Sequence, residues 1–287
     1  MKELVVISGK GGTGKTTVTA ALAALAGHKV MADCDVDAAD LHLVLAPENR
    51  TATEFYSGQV AVIDPERCIR CGECATNCRY EAIDADFTVH KEHCEGCGVC
   101  AYVCPTDAAG MIERMCGHWY SSETRFGKMI HAHLGIGEEN SGKLVTTVRK
   151  EARKAAEEVG AELIITDGPP GVGCPVIASL GGTDLALAVA EPTLSALHDL
   201  KRVHKLTRHF QVPMMAVVNK ADINPLLTEE IRNWCTESGV EIAGVLPYDQ
   251  IVTDAQIHGL SVVEHDPDGF GQHMRSVWDK VSRKLFA

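Results

Sequence analysis

With 287 residues, 45% of them hydrophobic, the chain has room for one larger domain and a small one. Its formal net charge of −12 argues against a nucleic-acid surface, and no apolar run reaches the length of a membrane-spanning helix. Twelve cysteines would imply disulfides in a small secreted chain, but Leu4-Val5-Val6-Ile7 runs directly into a glycine-rich loop with no leader ahead of it, which predicts a reducing cytoplasm.

Residues 3–8 read as a fully buried strand, 16–26 as a helix and 28–32 as a second strand, the start of a parallel sheet. From 60 to 112 the periodicity stops, and cysteines and glycines stand among nine acids and four bases. This stretch is expected to be a separate insert, too small for a large apolar core, splitting a main domain into 1–59 and 113–287. The alternation then resumes: a helix at 141–159, strands at 162–166 and 185–190, a helix at 195–210, a strand at 214–218, a helix at 227–238, a strand at 241–245 and a last helix at about 272–286. Strands alternating with helices predict an α/β fold with a doubly wound, mostly parallel sheet. Ser141 is placed to cap its helix. Met274, Val277, Trp278, Val281 and Leu285 give the last helix one apolar face, expected to pack on the sheet.

Three segments carry nucleotide chemistry. Gly9-Lys10-Gly11-Gly12-Thr13-Gly14-Lys15-Thr16 fits GxxxxGK[ST] between a strand and a helix. Backbone N–H groups of Gly11, Gly12, Thr13 and Gly14, with Thr17 beyond them, would cradle phosphates at the helix N-terminus. Lys15 would reach the β- and γ-phosphates and the Thr16 hydroxyl would hold Mg²⁺. Asp33-Cys34-Asp35 ends the second strand, and Asp167-Gly168-Pro169-Pro170-Gly171 follows the apolar run Leu163-Ile164-Ile165. An aspartate there is costly unless it meets a cation or hydrogen-bond donors. Asn219-Lys220-Ala221-Asp222 closes a later strand and spells the guanine-reading NKxD pattern, so ATP and GTP both stay open on these four residues, as does a role for Asn219 in only bracing the phosphate loop.

The cysteines carry a different chemistry. Cys68, Cys71, Cys74 and Cys78 form one C-x2-C-x2-C-x3-C run, and Cys94, Cys97, Cys100 and Cys104 form a second, followed by Pro105. That is the bacterial spacing for [4Fe–4S] ligation. Zinc is the competing reading of paired CxxC elements, but two identical four-cysteine runs favour clusters. Arg79, where a proline is expected after the first run, removes no ligand.

The KGGTGKTT string resembles the deviant phosphate loop of the MinD/ParA/nitrogenase-iron-protein ATPases. Nearly the whole chain, including 171–178 and the GEENSGKL string at 137–144, is similar to MinD-superfamily ATPases that carry an inserted ferredoxin domain. The resemblance implies ATP as the nucleotide, with Asn219 on the adenine, and a nucleotide-dependent homodimer in which Lys10 acts in trans on the partner's nucleotide. It implies that Asp35 orients the attacking water, that Asp33 supports the metal site and that Asp167 holds Mg²⁺ through water. From the two-cluster ferredoxins it implies one [4Fe–4S] centre on Cys68, Cys71, Cys74 and Cys104, and another on Cys94, Cys97, Cys100 and Cys78. The implied function is an ATPase whose nucleotide state gates electron transfer or docking to a redox or client protein; MinD-type proteins bind membrane through a terminal amphipathic helix, but packing on the sheet is the preferred reading of the last helix here, and the net charge argues against a nucleic-acid partner. A cluster-assembly ATPase and a positioning ATPase with passive clusters are the alternatives. Cys174 and Cys116 fall where the nitrogenase iron protein suggests a further bridging cluster, although ordinary buried or capping thiols are the preferred reading; His131 and His133 are expected as packed or surface residues.

Overall fold

The structure is a computed structural model that describes residues 1–135, 138 and 141–287. The 137–144 string falls partly outside these residues, and the side chain of Ser141, on which its expected cap rests, is outside the description. The chain divides into two compact units. The first comprises 1–53, 119–133 and 141–287; the second comprises 54–118 and 134–140.

The first unit is built on strands β1 (Lys2–Ser8) and β2 (Lys29–Asp33), joined through α1 (Lys15–Leu25). A short α2 (Leu41–Leu45) leads to β3 (Glu48–Ile63), which runs from the first unit into the second. The second unit contains α3 (Glu73–Thr76) and α4 (Val99–Tyr102), and β4 (Ala109–Thr124) carries the chain back. Then follow β5 (Gly127–Leu134), α5 (Ser141–Val159), β6 (Leu163–Pro170), α6 (Cys174–Leu180), β7 (Leu185–Ala190), α7 (Leu194–His209), β8 (Met214–Val218), α8 (Pro225–Glu237), β9 (Glu241–Val245), α9 (Gln250–Ile257), α10 (Val262–His265) and α11 (Phe270–Phe286).

The sheet order is β3-β4-β5-β2-β6-β1-β7-β8-β9, and the pairs from β5 to β9 are parallel. Both faces of its centre are covered, which is why these strands read as unbroken apolar runs. Leu4, Val6, Ile165 and Leu187 pack under α1 and α11, while Val5, Ile7, Ala188 and Val218 pack under α6, α7 and α8. Met274, Val277, Val281 and Leu285 of α11 are buried in the first of these cores. No helix among the described residues is long and apolar enough to cross a membrane.

Three features differ from expectation. β6 does not stop before Asp167; it runs on to Pro170, with an irregularity opposite Val6–Ser8 of β1. β3 and β4 are strands in stretches to which the sequence pattern assigned no element, and the second compact unit begins at 54 and its first segment ends at 118. In β3 only scattered residues such as Phe55, Val60 and Ala61 are buried, so no period-two apolar pattern marks it. α9 and α10 are too short to show a helical period and are instead fixed at their N-termini: Asp249 accepts from Ile251 N, and Ser261 and Glu264 form a capping box.

The second unit contains a repeat that extends past its cysteines. With an offset of 26 residues, α3 matches α4, and each is entered from a left-handed glycine, Gly72 (φ 82°) or Gly98 (φ 76°). Arg70 and Gly96 share a positive φ, as do Glu81 and Asp107. Ala82 N donates to Cys78 Sγ at 3.4 Å, and its counterpart Ala108 N donates to Cys104 Sγ at 3.2 Å. Left-handed backbone at Arg70, Glu81 and Asp107 is held against its local cost, which requires the surroundings to fix each turn. The apolar core here is small: Val60, Ala61, Ala82, Ile83 and Ala109, completed by Cys74, Cys94 and Cys100.

Candidate nucleotide site and cysteine cavities

β1 delivers the glycine-rich loop to the C-terminal edge of the sheet, and α1 begins at Lys15. Gly14 caps α1 with φ 91°, and a Cβ there would sit 2.2 Å from Asn219 Nδ2. This absence of a side chain lets Asn219 Nδ2 donate to Thr13 O at 2.8 Å. Lys220 Nζ donates to Gly12 O at 2.9 Å, so the end of β8 braces the loop twice. The α1 N-terminus faces an open cleft of ≈ 420 Å³ lined by Gly11, Gly12, Thr16, Asp35, Asn219 and Tyr248 among others. Free backbone N–H groups and the helix dipole favour an anion there.

Behind the loop lies a buried charge cluster. The β2–β6 register sets Asp33 opposite Asp167. Lys15 Nζ is 2.8 Å from Asp167 Oδ1 and 3.2 Å from Asp35 Oδ2. Thr16 Oγ1 donates to Asp167 Oδ2 at 2.7 Å, and Thr19 Oγ1 donates to Asp167 Oδ1 at 2.9 Å. All four charged residues are buried, three acids against one lysine. Burial works to neutralise Lys15, but Asp167 and Asp35 outweigh it and raise its pKa, so it stays charged. Burial, with Asp167 beside it, raises the Asp33 carboxyl well above the usual range; burial also raises Asp35. Asp33 Oδ1 accepts from Asp35 N at 3.1 Å, while Asp33 Oδ2 is buried without a partner. An excess of negative charge, an orphaned carboxylate oxygen and a threonine hydroxyl fit a hard divalent cation. Thr19, four residues after Lys15 on the inner side of α1, belongs to this cluster, and no motif marks it.

Lys10 is held within its own chain. Its Nζ lies 2.7 Å from Glu191 Oε1 and 3.4 Å from Ser195 Oγ, and Lys220 Nζ reaches Glu191 Oε2 at 3.3 Å. Burial opposes the Glu191 charge, but the two lysines overcome it and hold its carboxyl below the usual range. Glu191 follows β7 directly and was not legible as a site residue. Asp222 does not line the cleft; its Oδ1 accepts from Tyr248 N at 2.6 Å. The far side of the cleft is formed instead by Pro247, Asp249 and the α9 residues Val252, Thr253 and Gln256, and Gln256 Nε2 donates to Thr17 Oγ1 at 2.9 Å. These residues were missed because α9 gives no periodic signal.

In the second unit, Cys78 joins Cys94, Cys97 and Cys100 around one cavity, and Cys104 joins Cys68, Cys71 and Cys74 around another. None of the twelve cysteines is in a disulfide. Backbone amides of Ala61, Ala82, Ala108 and Ala109 donate to Cys94, Cys78 and Cys104, an arrangement suited to sulfur carrying negative charge. Among the described residues no three His, Cys, Asp or Glu side chains converge as a single metal ion requires. Each quartet lines its own cavity. The other thiols have ordinary surroundings. Cys116 is buried and donates to Ser57 O at 3.0 Å, Cys34 and Cys235 are core residues, and Cys174 is exposed at the start of α6. His131 is buried beside Ser122 Oγ at 3.1 Å, and burial pushes its pKa down to about 3, so it is neutral; His133 is exposed.

Residues 4–262 match the CobQ/CobB/MinD/ParA nucleotide-binding domain. The chain belongs to this family. An uncharacterized protein of Methanocaldococcus jannaschii is 37% identical to it over 225 residues, covering 77% of this chain and 79% of the relative. The septum site-determining protein MinD of Pyrococcus horikoshii, complexed with Mg-ADP, superposes with a TM-score of 0.60 at 18% identity, over 98% of this chain and 96% of that one. A chain of the MinC:MinD cell division complex of Aquifex aeolicus gives 0.60 at 18% identity, over 99% and 96%. The solved structures share the fold of this MinD/ParA-type protein, and the family match makes the cleft at the glycine-rich loop a nucleotide site.

Proposed function

We propose that this MinD/ParA-type protein binds and hydrolyses Mg·ATP as a nucleotide-switched homodimer. Its 54–118 region is a ferredoxin-like insert holding two [4Fe–4S] clusters, and nucleotide state gates electron transfer or docking through them. The observation that carries the redox half is the crossed pairing of the quartets, with the last cysteine of each run at the other run's cavity. Bound clusters would supply one-electron chemistry.

For the nucleotide half, the loop amides and Lys15 bind the phosphates. Thr16 and Asp167 would hold Mg²⁺, with Asp33 behind them; the ion would neutralise phosphate charge. Asp35, at the cleft wall, orients water. ATP is favoured over GTP because Asp222 is committed to Tyr248 N and lies outside the cleft, whereas Asn219 lines it. Lys10 must leave Glu191 before it can serve a partner's nucleotide. Lys10→Ala should therefore keep nucleotide binding in a filtration assay while lowering turnover by about 10³-fold or more, the scale of a trans-acting cation. Normal turnover by that variant would remove the trans role.

The fold likeness to MinD, including MinD in complex with MinC, favours a second reading, a positioning ATPase with passive clusters. One anaerobic experiment separates the two. Reconstituted protein should carry about eight irons per chain, four for each centre, and its ATPase rate should change when the clusters are reduced. Absence of iron overturns the redox half; full iron with an unmoved rate moves the conclusion to the positioning ATPase.

A further inference from the structure

The 26-residue repeat makes the differences between its halves informative. Where α3 carries Glu73 and Thr76, α4 carries Val99 and Tyr102. Two residues after the last cysteine of each run stand Tyr80 and Thr106. Because the fourth cysteine crosses over, Tyr80 joins Val99 at the cavity of Cys78, Cys94, Cys97 and Cys100, while Thr106 stands at the other cavity. Tyr80 is 46% exposed, Val99 39% and Tyr102 92%. Tyr80 and Val99 thus line the cavity and also meet solvent, forming a wall one side chain thick. Tyr102 stands three positions on from Val99, one turn along α4. The first cavity, that of Cys68, Cys71, Cys74 and Cys104, has one strongly exposed apolar residue in its wall, Ile69, and lone exposed apolar side chains are ordinary. Two tyrosines beside a valine have the composition of an interface centre. Glu95 lines the same cavity, Glu81 follows Tyr80, and residues 54–118 hold eleven acidic against five basic side chains.

We infer that the face bearing Tyr80, Val99 and Tyr102 is the port at which a redox protein docks, and that the face over the first cavity is not. The partner fitting it has an apolar centre over a one-electron cofactor and a basic rim. This rests on the cluster reading above. Cys78, Cys94, Cys97 and Cys100 would hold the centre that supplies one electron to the partner's cofactor, an outer-sphere transfer in which no bond is made or broken.

The test uses full-length reconstituted protein, reduced anaerobically and mixed in a stopped flow with ferric cytochrome c, a basic haem protein. Benzyl viologen serves as a small oxidant that needs no docking surface. Tyr102→Lys and Val99→Lys, which place positive charge in the port, should each slow haem reduction about tenfold at low salt through the encounter step. Tyr102→Lys, which lies outside the cavity lining, should also leave the benzyl viologen rate and the cluster spectra unchanged. Ile69→Lys, over the other cavity, should leave haem reduction within about twofold of the wild type. Equal slowing by Ile69→Lys, or no slowing by the port variants, overturns the inference while leaving the clusters in place. Wild-type protein that takes up no iron overturns both the inference and the reading beneath it.

Discussion

Lys15→Ala should abolish ATP turnover and also make the folded protein sensitive to pH. The first effect follows from losing the ammonium proposed to bind the phosphates in a preorganised site, a loss of about 10²–10³ in rate, or about 3–4 kcal/mol of barrier. The second follows from what Lys15 holds. Without it, Asp33, Asp35 and Asp167 face one another in a buried cluster with no internal cation. Removing one partner from a buried charge cluster costs about 3–5 kcal/mol when the remaining charge cannot escape. Here it can escape by protonation. Asp33 and Asp35 already titrate above the usual range, and losing Lys15 removes a cation that lowers both. A carboxyl whose folded pKa is raised contributes stability that is complete below its unfolded value and is lost as pH rises through the folded value. The variant's deficit in urea unfolding should therefore be larger at pH 8 than at pH 5, and Mg²⁺ should narrow it at pH 8. Intact turnover would refute the assigned phosphate site; a deficit independent of pH would refute the charge argument.

Arg149→Ala should produce the largest loss of stability away from the nucleotide. Arg149 is 6% exposed and acts as a four-way clamp. Its Nη2 donates to Glu3 Oε2 at 2.6 Å and to Thr183 Oγ1 at 3.2 Å, and its Nη1 donates to Ala178 O at 2.8 Å and Gly181 O at 2.6 Å. These contacts tie α5 to the first residues of β1 and to the end of α6. Truncation leaves a buried carboxylate short of one of its two arginines and two carbonyls short of donors, which should cost about 3–5 kcal/mol. Arg153 also pairs with Glu3, but it is partly exposed and cannot reach all four groups. Arg149→Lys should restore only a minor part, because one ammonium cannot reproduce the planar fork. Equilibrium urea unfolding reads both variants. A loss below about 1 kcal/mol, typical of surface pairs, would mean that Arg153 and solvent carry Glu3 unaided.

What could be read in advance follows from how locally each feature is encoded. Leu4–Ile7 and Leu185–Ala190 are buried on both faces, so composition alone marks them as strands. β3 buries too little to leave a pattern, and α9 is only eight residues long. Lys15, Thr16 and the glycines are contiguous, and a short string exposes them. Thr19, Glu191 and the contact between Tyr248 N and Asp222 depend on distant segments meeting, and nothing near them in sequence records this. Asn219 shows the limit clearly: its position at a strand end was legible, but its donation to Thr13 O depends on Gly14 having no side chain to intervene. The repeat was visible only as cysteines because its other half is written in backbone angles shared by unlike residues, Arg70 with Gly96 and Glu81 with Asp107.

The strand order has a consequence for biosynthesis. β1 is made first, yet its two neighbours begin at Leu163 and Leu185, so more than half the chain must be synthesised before either edge of β1 is paired. The 54–118 stretch, with all eight cysteines of the two runs, leaves the ribosome well before that. Its own contacts are short-range in sequence and close quickly, whereas the long closure at β1 is slow. During translation the thiol quartets can therefore assemble while Leu4–Ile7 is still an open apolar edge and the phosphate cleft does not exist. A nascent chain stalled before residue 163 has no β6 to shield that edge, and it is there that premature association with other chains would begin.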